Sequence, residues 1–136
     1  MMLDDARIQK FLATKDVVVL ATVQADGSPL AMPMWFLHAP DTVAMISVVD
    51  TQKVRNLRRD PRVSVVAEAV VNGEVRGVIV QGRVEFLSDG AERRALIERF
   101  HEKYGGLRRL WAGTAMPGNR VMFKIVPSGV RSWGLG

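Results

Sequence analysis

The alternation of apolar and polar residues in the N-terminal half of the chain is typical of short β-strands. Residues 17–24 have the sequence VVVLATVQ, and the ADGS segment that follows at 25–28 is typical of a hairpin turn, because an Asp-Gly pair accepts positive φ angles. The return strand is predicted over residues 29–37, where Pro33 indicates an edge position or a bulge. A third strand is predicted over residues 42–48.

The same pattern continues in the C-terminal half. The predicted elements there are strands over residues 62–70, 75–87 and 120–126, a VNGE turn at 71–74 and a tail at 127–136. Gly77 and Gly82 interrupt the fifth strand, as expected for a bulge or for a sharply coiled strand of a barrel.

Helical segments with one apolar face lie between these strands. The predicted helices are a short one capped by Asp4-Asp5, one over residues 52–60 that Pro61 stops, and one from an Asp89/Glu92 capping box to Tyr104, with Leu96, Ile97, Phe100 and Tyr104 facing the core. Residues 107–119 form a loop or a broken helix, either a mobile lid or a dimer contact.

Six strands joined mostly by hairpins, with no alternation of strand and crossover helix, predict a mainly β protein. We expect a six-stranded antiparallel barrel with short helices packed outside it. The chain of 136 residues contains no repeat, linker or low-complexity tract, so residues 1–136 are predicted to form a single domain.

Composition excludes several classes of protein. Hydrophobic residues make up 48% of the chain and charged residues 24%, which excludes a disordered or collagen-like protein. The absence of cysteine excludes thiolate chemistry, disulfide scaffolds and cysteine zinc sites. No apolar run reaches the ~18 residues of a membrane span, and the acidic start of the chain is unlike a signal peptide. We therefore expect a soluble, cytoplasmic protein.

Charge gives the first positive indication of function. The chain has 19 Lys and Arg against 14 Asp and Glu, a net charge of +5, and most of its cations are arginine. Guanidinium groups pair well with phosphate and carboxylate oxygens. An anionic partner is therefore one explanation of the excess, and an ordinary basic surface is the other.

The cations are densest in the segment TQKVRNLRRDPR at residues 51–62, around the start of a predicted helix. Free backbone N–H groups and the helix dipole favour an anion at such a place. Lys53 and Arg55 are predicted to hold a phosphate, with Thr51 and Asn56 as neutral donors. A solvated basic helix face would have the same spacing.

A second candidate segment is Met32-Pro33-Met34-Trp35-Phe36. Alternation in a strand places Met32, Met34 and Phe36 on one side and Pro33 and Trp35 on the other. Methionine and tryptophan surfaces suit a flat heteroaromatic ring, although such residues more often belong to a core. The same two interpretations apply to Trp133.

Known catalytic and nucleotide-binding motifs are absent from the sequence. It has no GxGxxG, Walker A, HExxH, GxSxG or EF-hand pattern. His38 and His101 lie far apart and are predicted to be surface residues, and no metal site is expected. No catalytic side chain is identified.

Four segments, taken in order, carry a family resemblance: LATVQADGSPLAMPMWF, SVVDTQKVRNLRRDPRVSVV, GVIVQGRVEF and RVMFKIVPSGVRSWG. The sequence resembles the pyridoxamine 5′-phosphate oxidase-like superfamily, whose fold is the FMN-binding type of split β-barrel. Within it, the chain is most similar to the small oxidoreductases that use the deazaflavin coenzyme F420. The resemblance extends over most of the chain, from about Val17 to Gly134.

The resemblance implies a homodimer with two cofactor sites at its interface. The residues that match the family's cofactor-binding positions are Thr51, Gln52, Lys53, Arg55 and Asn56 for the phosphate, Met32, Pro33, Met34, Trp35, Ser47 and Val48 for the ring, and Gln81 and Trp133 from the partner subunit.

The function that the resemblance implies is hydride transfer between F420 and a small organic substrate, with little acid–base chemistry from the protein. The sequence does not identify the substrate or the direction of electron flow. True pyridoxamine phosphate oxidases carry an Arg-containing tail beyond the matching C-terminal stretch, whereas this sequence ends at Gly136. We therefore do not expect oxidation of pyridoxamine phosphate.

Three other interpretations remain open at this point, the third of them a purely structural dimer without a ligand, in which side chains would fill the groove of the barrel. The first keeps the fold and replaces F420 with FMN, in an oxidoreductase or a flavin-binding protein. The second is a nucleic-acid-binding module that uses residues 53–62, with an affinity that falls steeply with salt. Few aromatic residues lie among these cations, which argues against base stacking and hence against the second interpretation.

Overall fold

The computed structural model describes residues 2–135, which form seven strands and four helices. The elements in chain order are α1 (Ala6–Leu12), β1 (Val18–Val23), β2 (Pro29–Met34), β3 (Leu37–His38), β4 (Val43–Val48), α2 (Gln52–Arg59), β5 (Arg62–Val71), β6 (Glu74–Leu87), α3 (Ala91–Lys103), α4 (Leu107–Trp111) and β7 (Arg120–Trp133). Among the described residues, no helix is long and apolar enough to cross a membrane.

All seven strands belong to one antiparallel sheet with the order β2-β1-β5-β6-β7-β4-β3. The two edge strands, β2 and β3, are consecutive in the chain and are joined only by Trp35 and Phe36. A two-residue connection spans less than about 11 Å, so the sheet has to curl until its edges meet. The predicted mainly β, antiparallel split barrel is therefore confirmed, with seven strands instead of six.

The extra strand arises where the predicted strand 29–37 divides. Residues 29–34 pair with β1, whereas Leu37 and His38 pair with Ala44 and Val43 of β4. Between them, the Phe36 N–H donates to Tyr104 Oη at 2.9 Å, so its partner is a side chain and not a neighbouring strand. The prediction of one continuous strand was wrong because this distant tyrosine replaces the sheet partner.

The last strand also differs from the sequence prediction. We expected a strand over residues 120–126 and a tail at 127–136, but β7 continues to Trp133 and pairs with β6 as far as Gly77. The pairing tolerates Pro127 because the register shifts between Gln81 and Gly82. The predicted bulge is thus confirmed at Gly82. The register does not shift at Gly77, where a Cβ atom would overlap the Trp133 ring.

Two of the three predicted helices have the expected ends: the start of α1 at its Asp5 cap, and the end of α2 just before Pro61. Asp5 caps α1 by accepting from the Arg7 N–H at 2.9 Å. The Asp89/Glu92 capping box is wrong: Gly90 is the N-cap residue of α3 and supplies no side-chain bond. The Asp89 carboxylate instead lies 3.4 Å from an Arg94 nitrogen, which indicates that the ion pair displaces the cap.

Buried apolar residues form two clusters, one on each side of the sheet. The larger one fills the barrel with alternate residues of the strands and is completed by α1 and by Leu57 of α2. The smaller one lies on the outer face, where α3 and α4 cover Leu37, Ala44 and Met122. Both faces of β4 are therefore packed near Ala44 and Met45.

Helix α2 is attached to β1 by the side chain of Asn56, which is fully buried. Asn56 Nδ2 donates to Thr22 Oγ1 at 3.0 Å, and Asn56 Oδ1 accepts from Gln52 Nε2 at 2.8 Å. Arg59 adds a bond from Nη2 to the Val23 carbonyl at 2.5 Å. These polar contacts fix the helix against the end of the hairpin and so position its first turn.

The close approach of β6 and β7 at the bulge predicts the effect of a single methyl group. In Gly82→Ala, the new Cβ would overlap the Val126 carbonyl, which is backbone and cannot rotate away. We expect a loss of about 1–3 kcal/mol in the free energy of unfolding, measured by urea denaturation. Gly129→Ala is the matched control, because its Cβ would lie 3.9 Å from Gln81 Oε1. Equal stabilities of the two variants would contradict this account.

The Asn56 contacts give a second prediction. Asn56→Ala leaves the buried Thr22 hydroxyl without its donor, which should lower the free energy of unfolding by about 1–3 kcal/mol. Gln52→Ala removes only an exposed partner and should change it by less than about 0.5 kcal/mol. Urea denaturation followed by tryptophan fluorescence compares the two variants. An Asn56→Ala protein as stable as the wild type would show that this bond does not hold α2.

Candidate functional site

The split of the barrel lies between β2 and the second half of β4. Strand β3 pairs only with Val43 and Ala44, so residues 45–48 of β4 have β7 on one side and no strand on the other. β2 likewise pairs only with β1. Because Trp35 and Phe36 keep the end of β2 beside the start of β3, these two open edges flank the same gap.

Lys53, in the first turn of α2, reaches into this region. Its ammonium group donates to Ser47 Oγ of β4 at 2.7 Å, and Ser47 is buried. Burial lowers the pKa of Lys53. Within residues 2–135, no carboxylate forms a salt bridge with this ammonium group. The charge of this half-buried ammonium group is not neutralised, because its partner is a neutral hydroxyl. An anion bound beside it would therefore be stabilised.

The N-terminal end of α2 adds neutral donors beside Lys53. Thr51 is the N-cap residue: its Oγ1 accepts from the Val54 N–H at 3.4 Å and donates to the Val48 carbonyl at 3.2 Å. The first N–H groups of a helix have no partner within the helix. The structure therefore brings Ser47, Val48, Thr51 and Lys53 together, and their role in binding a cofactor stays a prediction.

The three other predicted residues of α2 are engaged with the protein. Arg55 is exposed and bonds to Asp50 Oδ1 at 2.9 Å and to Gln52 Oε1 at 3.2 Å. Asn56 is buried in its contact with Thr22. Their assignment as ligands of a cofactor stays a prediction, and in this structure Asn56 positions the helix.

The remaining cations of the segment also have protein partners. Arg62 forms a forked pair with Asp60 at 2.7 Å, which lowers the pKa of Asp60 to about 2. The Arg58 guanidinium lies 4.3 Å from the centre of the Phe86 ring. Arg59 is bonded to the Val23 carbonyl. The segment is thus largely paired, and Lys53 differs from these exposed arginines in being half-buried, with a hydroxyl as its partner.

The Met32–Phe36 segment has the predicted alternation. Met34 and Phe36 are buried in the barrel with Met32 packed beside them, whereas Trp35 is 42% exposed on the outside. The core interpretation therefore holds for the two methionines. Trp35 stacks on Tyr104, with ring centres 4.3 Å apart and an interplanar angle of 5°. Trp35 is thus a flat aromatic surface at the split.

Sequence reasoning missed the role of Tyr104 and Lys103 in holding this connection. Tyr104 Oη donates to the Asp16 carbonyl at 2.8 Å while it accepts from the Phe36 N–H. Lys103 Nζ donates to the Phe36 carbonyl at 2.9 Å and lies 3.7 Å from the centre of the Phe36 ring. The sequence placed Tyr104 on the core side of its helix, but no local signal identified its distant partner.

Gln81 and Trp133 lie away from Lys53. Val121 of β7 pairs with Ser47 at one end of the strand, and Trp133 is at the other end, ~40 Å along an extended strand. Gln81 is exposed on β6. The assignment of Gln81 and Trp133 to a partner subunit's site stays a prediction.

The two histidines are both bonded to the protein. His38 Nδ1 lies 2.7 Å from Gln9 Oε1, and burial together with Lys103 and Arg99 lowers the pKa of His38. His101 Nε2 lies 2.9 Å from the Thr114 carbonyl. In the part of the chain that the structure describes, no group of three or more His, Asp or Glu residues could hold a metal ion.

Three solved structures illustrate what this fold carries in other proteins. A conserved hypothetical protein of Mycobacterium tuberculosis, Rv2991, is 28% identical over 96% of this chain and 84% of its own, with a TM-score of 0.80. An FAD-binding protein of Mesorhizobium loti is 24% identical over 90% and 87% of the two chains, with a TM-score of 0.74. The heme storage protein HutZ of Vibrio cholerae is 18% identical over 96% and 94%, with a TM-score of 0.78.

The FAD-binding protein and HutZ, both below 25% identity, establish the fold alone. No curated protein sequence matches the chain. Neither the three structures nor the family match supports F420 as the cofactor, so the narrower resemblance to F420-dependent enzymes gains no support. The family match itself is to the pyridoxamine 5′-phosphate oxidase model and extends over residues 4–134. With nearly its whole length matched, the chain belongs to the pyridoxamine 5′-phosphate oxidase family.

Proposed function

We propose that this protein binds FMN at the split of the barrel and acts as an oxidoreductase on a small organic substrate. The observation that carries the proposal is the half-buried ammonium group of Lys53, which has a hydroxyl and no carboxylate as its partner. A phosphate placed there would receive charge-assisted bonds from Lys53 and neutral bonds from the first turn of α2. FMN offers one terminal phosphate of this kind.

The ring system of the flavin needs a flat apolar surface within reach of that phosphate. Trp35 and Val48 are exposed on the outer side of the two strands that flank the split, at 42% and 39%. Pro33 is exposed two residues before Trp35. Bound against these side chains, the ring would be partly shielded from water, and Tyr104 would keep Trp35 in place by stacking on it.

The outer face of the barrel beside the split carries a row of apolar side chains. Pro33, Val19, Val66 and Ile79 occupy paired positions on β2, β1, β5 and β6, and all point away from the barrel interior. Val19 is 39% exposed in the single chain. We propose that this row is the centre of a homodimer interface, because burying its apolar surface against a second copy would be favourable in free energy. Gln81 lies on the same face, two residues after Ile79, where it could reach a partner's site.

Bound FMN would supply the hydride chemistry. The residues of this chain would bind the phosphate through Lys53, orient the ring against Trp35, and exclude water by means of the apolar side chains around the split. His38 and His101 are engaged with other groups, as described above. We therefore assign no catalytic acid or base.

Heme and F420 are the two competing cofactors. His38 is hydrogen-bonded through Nδ1 and His101 through Nε2, and an imidazole bonded at one nitrogen can still ligate iron through the other, so these contacts do not separate heme from FMN. F420 would also place a phosphate diester near Lys53, so the comparison with FMN has to be made by experiment. Nucleic acid is disfavoured because Arg58, Arg59 and Arg62 are paired within the protein.

The Lys53 assignment predicts a selective loss of affinity. Lys53→Gln removes the charge from the phosphate site and should weaken FMN binding by about 1.5–3 kcal/mol, or about 10- to 100-fold. Arg62→Gln, which removes an exposed cation of the same segment that is already paired with Asp60, should weaken it by less than about threefold. The measurement is a fluorescence titration of apo-protein with FMN and, separately, with F420, at two salt concentrations.

Each outcome of that titration has a distinct meaning. Tight saturation by FMN with weak F420 binding supports the proposal, and the reverse preference would replace FMN with F420. Binding of neither cofactor would refute the proposal. If Lys53→Gln binds FMN as tightly as the wild type, the phosphate does not lie at α2.

The lowered pKa of Lys53 predicts how binding depends on pH. The charged form binds phosphate, so FMN affinity should fall as pH rises through the Lys53 pKa, which lies below the ordinary value of 10.5. The affinity advantage of the wild type over Lys53→Gln should shrink over the same range. Lys53→Arg stays charged and should keep its affinity there. A constant ratio between wild type and Lys53→Gln from pH 7 to 10.5 would contradict a role for this ammonium group.

A further inference from the structure

A small pocket opens on the outer face of the barrel beside the split. It has a volume of about 90 Å³ and is lined by Trp35, Ile46, Leu107, Leu110, Trp111 and Arg120. All of these residues except Arg120 are apolar or aromatic. Helix α4 forms one wall, and the opposite wall consists of Trp35 from the β2–β3 connection, Ile46 of β4 and Arg120 of β7. The pocket is thus an apolar recess with one cationic side chain.

The pocket adjoins the residues proposed to hold the cofactor. Arg120 and Val48 are directly paired across β7 and β4, and Ser47, the partner of Lys53, is the next residue along β4. Trp35 is shared by the pocket and the proposed cofactor site, since it lines the pocket and also lies at the split. A molecule in the pocket would therefore lie beside a ring bound at Trp35 and Val48.

Two observations indicate that the walls are fixed. Trp35 is stacked on Tyr104, whose hydroxyl is bonded to the Phe36 N–H. Trp111 is buried and packs edge-on against His101, with ring centres 5.2 Å apart. Rigid walls favour binding because little side-chain entropy is lost when a ligand enters.

Arg120 gives the pocket its charge preference. Its Nη1 donates to Asn119 Oδ1 at 2.8 Å, which is a neutral amide oxygen. Within residues 2–135, no carboxylate forms a salt bridge with it. A guanidinium group beside an apolar recess has donors available for a carboxylate in two-point contact.

We propose that this pocket binds the substrate, and that the substrate is a small carboxylic acid with a short branched aliphatic group. The recess, with a volume of about 90 Å³, is of a size that suits an aliphatic group of three or four carbon atoms. The carboxylate pairs with Arg120 and the aliphatic end contacts Ile46 and the two tryptophans. The role as substrate, though not the pocket itself, rests on the proposed FMN function.

The probe for this proposal is 3-methylbutanoate, with 3-methylbutanamide as its neutral analogue. Two of the three tryptophans, Trp35 and Trp111, line the pocket, so intrinsic fluorescence reports its occupancy. We expect saturable quenching by the carboxylate at concentrations at least about tenfold lower than by the amide, because charge-assisted bonds are lost in the amide. Equal titrations of the two compounds, or no saturable change with either, would overturn the proposal.

Variants assign the effect to the pocket. Arg120→Gln should reduce binding of the carboxylate to the level of the amide, and Leu110→Glu should also weaken it by placing a like charge at the rim. Leu110 is 65% exposed, so this variant should fold even if Arg120→Gln does not. Arg109→Gln is the matched control, since Arg109 is an exposed cation of the same helix that does not line the pocket. Wild-type carboxylate binding in Leu110→Glu would overturn the assignment.

The role as substrate site has its own readout. In the FMN-loaded protein, saturating 3-methylbutanoate should shift the visible absorption band of the flavin, because the ligand lies beside the ring. Tight FMN binding without carboxylate binding would refute the pocket and leave the proposed function intact. Carboxylate binding without FMN binding would refute the proposed function and, with it, the role as substrate. An unchanged flavin band with both bound would refute the adjacency.

Discussion

The structure depends on one hydroxyl group, that of Tyr104, and on the two-residue connection that it holds. Its hydroxyl oxygen accepts a hydrogen bond from the backbone N–H of Phe36, at the point where the chain leaves one edge strand of the sheet and enters the other. This contact stops β2 at Met34, lets β3 begin at Leu37, and leaves an opening between β2 and β4. The same tyrosine supports Trp35 by stacking. Closure of the barrel, the position of the split and its aromatic wall thus share a single cause.

The second organising constraint is the unequal pairing of the cations near the split. Most arginines of the segment that follows β4 are occupied by carboxylates, carbonyls or an aromatic ring. Lys53, which is half-buried, and Arg120, which lies across the β4–β7 ladder from Val48, have only neutral oxygens as partners. A basic composition therefore does not locate an anion site, whereas the burial of a cation and the lack of a carboxylate partner among the described residues identify candidates.

Much of the fold could be predicted from the sequence because it follows from local chemistry. Alternation gave the strands, Gly27 and the Asn72-Gly73 pair lie at turns with positive φ, and Thr51 begins a helix that Pro61 ends. Two of the errors have a different origin: the break at Phe36 and the extension of β7 depend on partners distant in sequence, whereas the wrong capping box at Asp89/Glu92 was a local error.

The candidate site shows the same division. The cluster of Ser47, Thr51 and Lys53 followed from charge and helix position together with the family resemblance, and the structure brings the three together. The burial of Asn56 and the stacking of Tyr104 on Trp35 could not be predicted, since both are contacts between elements far apart in the chain. The local sequence pattern identified the charged and polar side chains of the candidate site. Only the packed structure showed which of them are already bonded within the protein and which remain available to a ligand.

The position of β7 between β6 and β4 has a consequence for biosynthesis. Strand β4 leaves the ribosome early, yet its long hydrogen-bonded neighbour is formed by residues 120–133. Until those residues emerge, Met45 and its neighbours form an apolar strand with an unpaired backbone edge, the kind of surface that joins other chains. The barrel therefore cannot close until residues 120–125 have been synthesised, and until then the edge of β4 remains open to pairing with other chains.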